Sequence, residues 1–592
     1  MKYIQNITLD VSENLEYKYI NAKQGDNATR YLNITLTENN EKIIPESGYV
    51  ASFRCLKPDG HSCIDTGVIN KDGTITVELT NQVLAVEGTT QADISLSNGS
   101  SVLSAASFYI QVGSAPISSN QTASSNDFLL LIQKTTEAVE AINTIEETVN
   151  NAKEALEGVE EIKAYIGYTD NDILGLQVDF ENKKFTRLAG AVGKNAGTDF
   201  DGFAMYGGRK RCNVMDDGTI NAYYGDTNYT DDGTNGQVMV YQPKFYYKVV
   251  PLKLEKNIAT GIGYHIRKAN YYASDTPKAG FKPHPAFYDE NGNEVEYILY
   301  SAYEGVLKKA SDTGYYNDAQ STNSELNTEA DLICSVSSQK PISGQNIALN
   351  IANAEKLCSN RGNGWHCEMI KTLSANQLLM MIEYGALNMQ AAIGQGVCRL
   401  SDVSGKNCAC NTGATRTLGN VTGNATATFN ITNGVETTYR EEGFLSLSYR
   451  GVENPYGNIA LMIEGINYKG DKNGVNRVYI ADDFNFDVNK TDGNYHSPEL
   501  TVANNYGYIN AFGYDEKYDW LFMPSEIGGT SALPVGDRLA VVPNSTVNKI
   551  LLNGGIWNQA TYCGAFQIDL QTNYNQAMRM NGCRLVYIPA AD

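Results

Sequence analysis

The chain has 592 residues, of which 42% are hydrophobic and 19% charged, with 54 glycines; this is the composition of a folded, turn-rich protein of several units and excludes a disordered chain. A formal net charge of -21 argues against a nucleic-acid partner, because phosphate binding needs Lys/Arg surfaces that displace counterions. The eleven cysteines are odd in number, scattered and without C-x-x-C spacing, so they read as free thiols folded in a reducing cytosol.

The start, Met1-Lys2-Tyr3-Ile4-Gln5-Asn6, has no apolar signal-peptide core, and no apolar run is long enough for a bilayer, so no membrane insertion is expected. From Tyr3 to Val112 short alternating runs recur: 31–36, 50–56, 74–79, 92–96 and 107–112. Turns at Pro58-Asp59-Gly60 and Lys71-Asp72-Gly73 punctuate them. This spacing predicts a β-sandwich over residues 1–116.

A Ser/Thr/Asn-rich linker follows over 117–125. Phe128, Leu131, Thr135, Ala138, Ile142, Ile145, Val149, Ala152, Leu156 and Val159 then keep a 3-4 spacing, which predicts a coiled-coil stalk over 126–166. One amphipathic helix packed on a globular domain would show the same pattern, but its length and the linker before it favour the coiled coil. Isoleucine at both Ile142 and Ile145 shifts the preference to a trimer. Trimerisation is therefore expected through Phe128, Leu131, Ala138, Ile142, Ile145, Val149, Leu156 and Val159.

Residues 167–237 read as a β-rich shoulder, and 238–592 as a head rich in tyrosine, asparagine and glycine; the whole chain has 38 tyrosines against three tryptophans. One helix is expected from Ser374, as N-cap, to the stop at Gly385, and another at 352–357. The five histidines lack H-E-x-x-H spacing, and no G-x-S-x-G elbow or P-loop occurs. Acidic pairs such as Asp482-Asp483 and Asp515-Glu516 read as surface charge. No catalytic residue, metal ligand or cofactor is expected, and the chain reads as a non-enzyme.

Gln24-Gly25-Asp26, Lys57-Pro58-Asp59-Gly60, the Asp72-Gly73 turn and Phe108-Tyr109-Ile110-Gln111-Val112 together resemble the N-terminal domain of phage upper baseplate proteins. That resemblance implies attachment of residues 1–116 to other baseplate or tail proteins. Gly364-Trp365-His366, the 374–384 helix, 449–458, 519–526, Asn553-Gly554-Gly555-Ile556-Trp557 and 582–589 are similar, in that order, to the C-type lectin fold of phage tropism determinants and formylglycine-generating enzymes. This implies an α+β head in which Pro243 to Val250 pairs with Arg584 to Pro589. The calcium tripeptide is absent, since Glu453-Asn454-Pro455 has its letters in the wrong order.

The stretch from Gly555 to Arg584 resembles the variable region of proteins diversified by a diversity-generating retroelement. A frame of Trp557 and Phe566 surrounds candidate receptor-binding residues Asn558, Gln559, Tyr562, Gln567, Asp569, Asn573, Tyr574 and Asn575, polar and flat side chains of the kind found in paratopes. A fallback surface is the segment Asn504-Asn505-Tyr506-Gly507-Tyr508. The resulting expectation is a homotrimeric, virion-borne tail or baseplate receptor-binding protein, assembled in the bacterial cytoplasm, that attaches to a surface glycan or protein. The alternatives are a tail-associated enzyme acting on surface polysaccharide and a purely structural tail fibre protein.

Overall fold

The computed structural model describes residues 2–591 except 13–14, 46–47, 99–100, 106, 116–167, 313, 320–324 and 433–434. The chain divides into two compact units, Met1–Leu156 and Glu157–Asp592.

In the first unit, side chains alternate between core and solvent, as a half-buried sheet requires. Strand Arg30–Glu38 buries Leu32, Ile34 and Leu36, and strand Val50–Leu56 buries Ala51, Phe53 and Cys55. Strand Tyr3–Asp10 runs parallel to Arg30–Glu38, which pairs antiparallel with Ile75–Glu78. Strand Val50–Leu56 lies between Ser62–Ile69 and Gly88–Ser97. Strand Ser62–Ile69 also pairs with Ile75–Glu78, so it joins the two sheets around one apolar core. The glycines of both predicted turns, Gly60 and Gly73, take φ of +86° and +82°, a region closed to most side chains.

The second unit is built on a 14-stranded and a 6-stranded sheet that share one core. Its axis is helix Ile370–Tyr384, buried at every position except Lys371 and Tyr384. Such a helix shows no amphipathic face because neighbours cover it all round. Its polar side chains are matched individually: Gln377 donates to the Ala565 carbonyl at 2.7 Å, and Asn376 accepts from Arg209 at 2.9 Å. At its C-terminal end the Glu383 carboxylate, fully buried, accepts from Arg450, Tyr449 and the Gly197 amide at 2.8–2.9 Å. Gly385 closes the helix at φ +64°. The N-cap is Met369, five residues before the expected N-cap Ser374, and the Thr372 hydroxyl accepts from the Met369 amide. The second helix runs Ile351–Ser359.

Three sequence expectations change. The fold class, with a trimeric helical coiled coil and an α+β lectin-type head, gives way to a nearly all-β fold among the described residues, where strand makes up 40% and helix 8%, with four short α-helices. The longest described helix has 15 residues, and the 126–166 segment with its eight trimerisation residues lies outside the described residues. A 3-4 apolar spacing is only a local signal, and the order of the described residues is set by sheets.

The pairing expected between Pro243 to Val250 and the C-terminal strand is also replaced. Strand Leu585–Tyr587 pairs with Tyr297–Ser301 and Trp365–Cys367, and Tyr297–Ser301 separates it from Gln237–Pro243. Finally, the 167–237 segment contributes to the common core. Strand Leu174–Asp179 pairs with Tyr264–Ser274, and Lys210–Val214 pairs with Gln237–Pro243. All eleven cysteines are buried. No described helix is long and apolar enough to cross a membrane.

Candidate functional site: an aromatic and guanidinium face

The glycine-rich frame around Trp557 builds a rigid platform. Gly554 ends strand Lys549–Gly554 and Gly555 follows it, at φ +92° and +81°, turning the chain so that Trp557 is fully buried. Trp557 Nε1 donates to Asp402 at 3.1 Å, and Arg579 stacks on the indole at 5.5 Å while holding both Asp402 oxygens. The Trp557 carbonyl accepts from the Leu400 amide at 2.8 Å, and the Ala560 amide donates to the Cys398 carbonyl at 2.8 Å. Phe566 is fully buried among Phe512 and Phe522. Trp557 and Phe566 are therefore the frame of this region.

From this frame the single turn Ala560–Tyr562 presents Tyr562. Beside it, strands Gly507–Tyr514, Arg538–Val541 and Gly564–Leu570 lie in register: Tyr508 opposes Arg538, and Ala540 opposes Asp569. Tyr506 and Tyr508 are two apart in an extended segment and so point to one face. Arg538 lies 4.2 Å from the Tyr562 ring and 5.5 Å from that of Tyr506. The Tyr508 and Tyr562 rings are 5.8 Å apart, and the Tyr508 hydroxyl shares a 2.8 Å hydrogen bond with Thr561. Gln571 donates to the Tyr506 hydroxyl at 2.8 Å. Although held by these contacts, Tyr506 and Tyr562 are 48% and 40% exposed. The result is a pre-ordered surface of rings around one guanidinium, the chemistry that contributes most at recognition surfaces.

The sequence-predicted residues divide among three environments. Asn558 and Tyr562 are exposed and Gln559 half-buried on the loop before strand Gly564–Leu570, with Gln559 accepting from the Ile556 amide at 3.2 Å. Asp569, half-buried on that strand, is near the guanidinium face. Burial pushes its carboxyl up to about 6 against the opposing pull of the Gln571 amide and Arg538. Asn573, Tyr574 and Asn575 form the next loop, where Lys549 donates to the Asn573 side chain at 2.5 Å and Tyr574 leans on the core.

Gln567 does not belong to any surface: it is 3% exposed, and its carbonyl accepts from Asn553 at 2.7 Å. Composition suggested a paratope residue there, but the strand turns this position inward. Arg538 was missed, and only the sheet register brings it between the tyrosines. The Tyr506-Gly507-Tyr508 alternation was the one local signal for this face. Glu453, within the misordered calcium tripeptide, is fully buried and accepts from Gly413, Thr415 and the Thr415 hydroxyl at 2.6–2.7 Å, a purely internal role.

A family match falls in the first unit. Residues 3–143 match the family model of the BppU N-terminal domain. The BppU-type segment thus covers the whole described sandwich and gives this end of the chain the character of a phage baseplate domain. With it come a place in the phage tail or baseplate and association with other proteins of that assembly. Among solved structures, the N-terminal domain of phage TP901-1 ORF48 is similar at 19% identity over 18% of this chain and 97% of its own, with a TM-score of 0.16. No curated protein matches the chain.

Proposed function

We propose that the chain is a phage tail or baseplate receptor-binding protein, anchored by its BppU-type domain and attaching the virion to a bacterial surface glycan or protein through the Tyr506, Tyr508, Tyr562 and Arg538 face. The observation that carries this reading is the combination of a baseplate-type domain at one end with exposed, pre-ordered rings around a guanidinium in the other unit. Neighbouring polar side chains, Asn558, Gln559, Asp569, Asn573, Tyr574 and Asn575, extend the contact area. The role is binding without a chemical step. The rings are fixed by sheet register and by hydrogen bonds, so little ordering cost opposes association.

The test is adsorption of labelled, purified chain to cells of the host bacterium. Tyr562→Ala combined with Arg538→Ala should lower cell binding at least about tenfold, the loss of roughly 1.4 kcal/mol or more expected for a central ring and guanidinium. Undiminished adsorption by the folded double variant would refute the assignment.

A further inference from the structure

Strand Gly507–Tyr514 carries the ring surface at its start, and six residues on, roughly 20 Å away, Tyr514 enters a different feature. There, three neighbouring strands bring Lys256, Tyr264 and Tyr514 into one row, each the direct cross-strand partner of the next. Opposed residues on adjacent strands project to the same side, so both tyrosines stand on one side of the sheet. Together with Leu254 they line a cleft of about 870 Å³, within the size range of small-ligand sites. Tyr264 is 46% exposed.

The rim is built and tied. The hairpin tip ends at Gly263, φ +69°, where a Cβ would stand 2.1 Å from the Glu499 carbonyl oxygen. Asn257 holds the tip by donating to Thr501 at 2.8 Å, and Asp515 accepts from the Glu499 amide at 2.6 Å, joining two sides of the opening. Around the rings stand three lysines, Lys256, Lys282 and Lys517, and three carboxylates, Glu499, Asp515 and Glu516. Lys282 also reaches Asp519 at 3.0 Å. Both signs are interleaved around the rings, and Lys282 and Lys517 are already faced by Asp519 and Asp482, so a polyanion finds no surface of one opposite sign. A ligand of many hydroxyls finds both donors and acceptors, and its apolar ring faces find the tyrosines.

We propose that this cleft is a binding site for an uncharged saccharide, with Tyr264 and Tyr514 as the stacking floor and the lysines and carboxylates as hydroxyl partners. It is separate from the Tyr562 and Arg538 face and does not depend on the role assigned to that face.

The experiment applies the full chain to an array of uncharged and anionic mono- to hexasaccharides, with calorimetry on the glycans bound. At least one uncharged glycan should bind. Tyr264→Ala and Tyr514→Ala should each weaken it about tenfold, whereas Tyr264→Phe should stay within about threefold because the ring is kept. Tyr562→Ala should leave glycan affinity unchanged even where it abolishes adsorption to cells, which separates this site from the receptor face. Tyr264 is exposed enough that its alanine variant should retain the wild-type unfolding midpoint. Binding of no uncharged glycan, binding confined to anionic ones, or unchanged affinity in folded Tyr264→Ala would overturn the proposal.

Discussion

Trp557→Ala separates frame from face. The indole is fully buried, donates to Asp402 at 3.1 Å and supports Arg579 at 5.5 Å. Truncating a buried Trp costs about 3–5 kcal/mol, and losing the cation–π contact adds up to about 1 kcal/mol, so a destabilisation of about 3–6 kcal/mol is expected. The three tryptophans, Trp365, Trp520 and Trp557, all lie in the second unit, so indole fluorescence reports on that unit alone. Trp365 and Trp520, both buried, remain as reporters in the variant. With a urea dependence of about 3 kcal/mol per M or more, the midpoint should fall by about 1 M. Tyr562→Ala, at a site 40% exposed and touching mainly Arg538 and Tyr508, should cost under about 1 kcal/mol and barely move it. A Trp557→Ala protein with the wild-type midpoint but no cell binding would refute the reasoning and make Trp557 a ligand contact.

Two further predictions concern buried charge. Glu383→Ala strands Arg450, leaving it only Asp201 as a carboxylate partner, and should cost about 3–5 kcal/mol by urea unfolding; pairing Glu383→Leu with Arg450→Met should recover much of this. Glu368 is pushed up to about 7 by burial, against the opposing pull of Arg584. A carboxyl raised on folding binds more protons in the folded than in the unfolded state, so its contribution falls as pH rises from about 4.5 to 7 and stays low above. Glu368→Gln should therefore gain on the wild type across that window by up to about 3 kcal/mol, measured as the difference between the two stability–pH curves. A parallel pair of curves would defeat this assignment.

Much of the chain's local order is legible from residues near one another. Period-two alternation marks Leu32, Ile34 and Leu36 as one face, Asp59-Gly60 and Asp72-Gly73 mark turns, and Gly385 marks the end of the buried helix, because each depends on backbone geometry within a few residues. Trp557 and Phe566 are legible as frame by their size and their glycine surroundings, and Tyr506 and Tyr508 as one face by their spacing. Tertiary structure decides the rest. Arg538 stands between Tyr506 and Tyr562, and Lys256 beside Tyr264 and Tyr514, only because distant strands pair in one register. Gln567 turns inward although its polarity suits a surface. The helix begins at Ile370, where the Tyr300 hydroxyl from a distant strand donates to the Thr372 carbonyl of its first turn, and Tyr297–Ser301 stands beside the C-terminal strand where Pro243 to Val250 was expected. Register and burial are set by the free energy of the whole core, which no window of neighbouring residues contains.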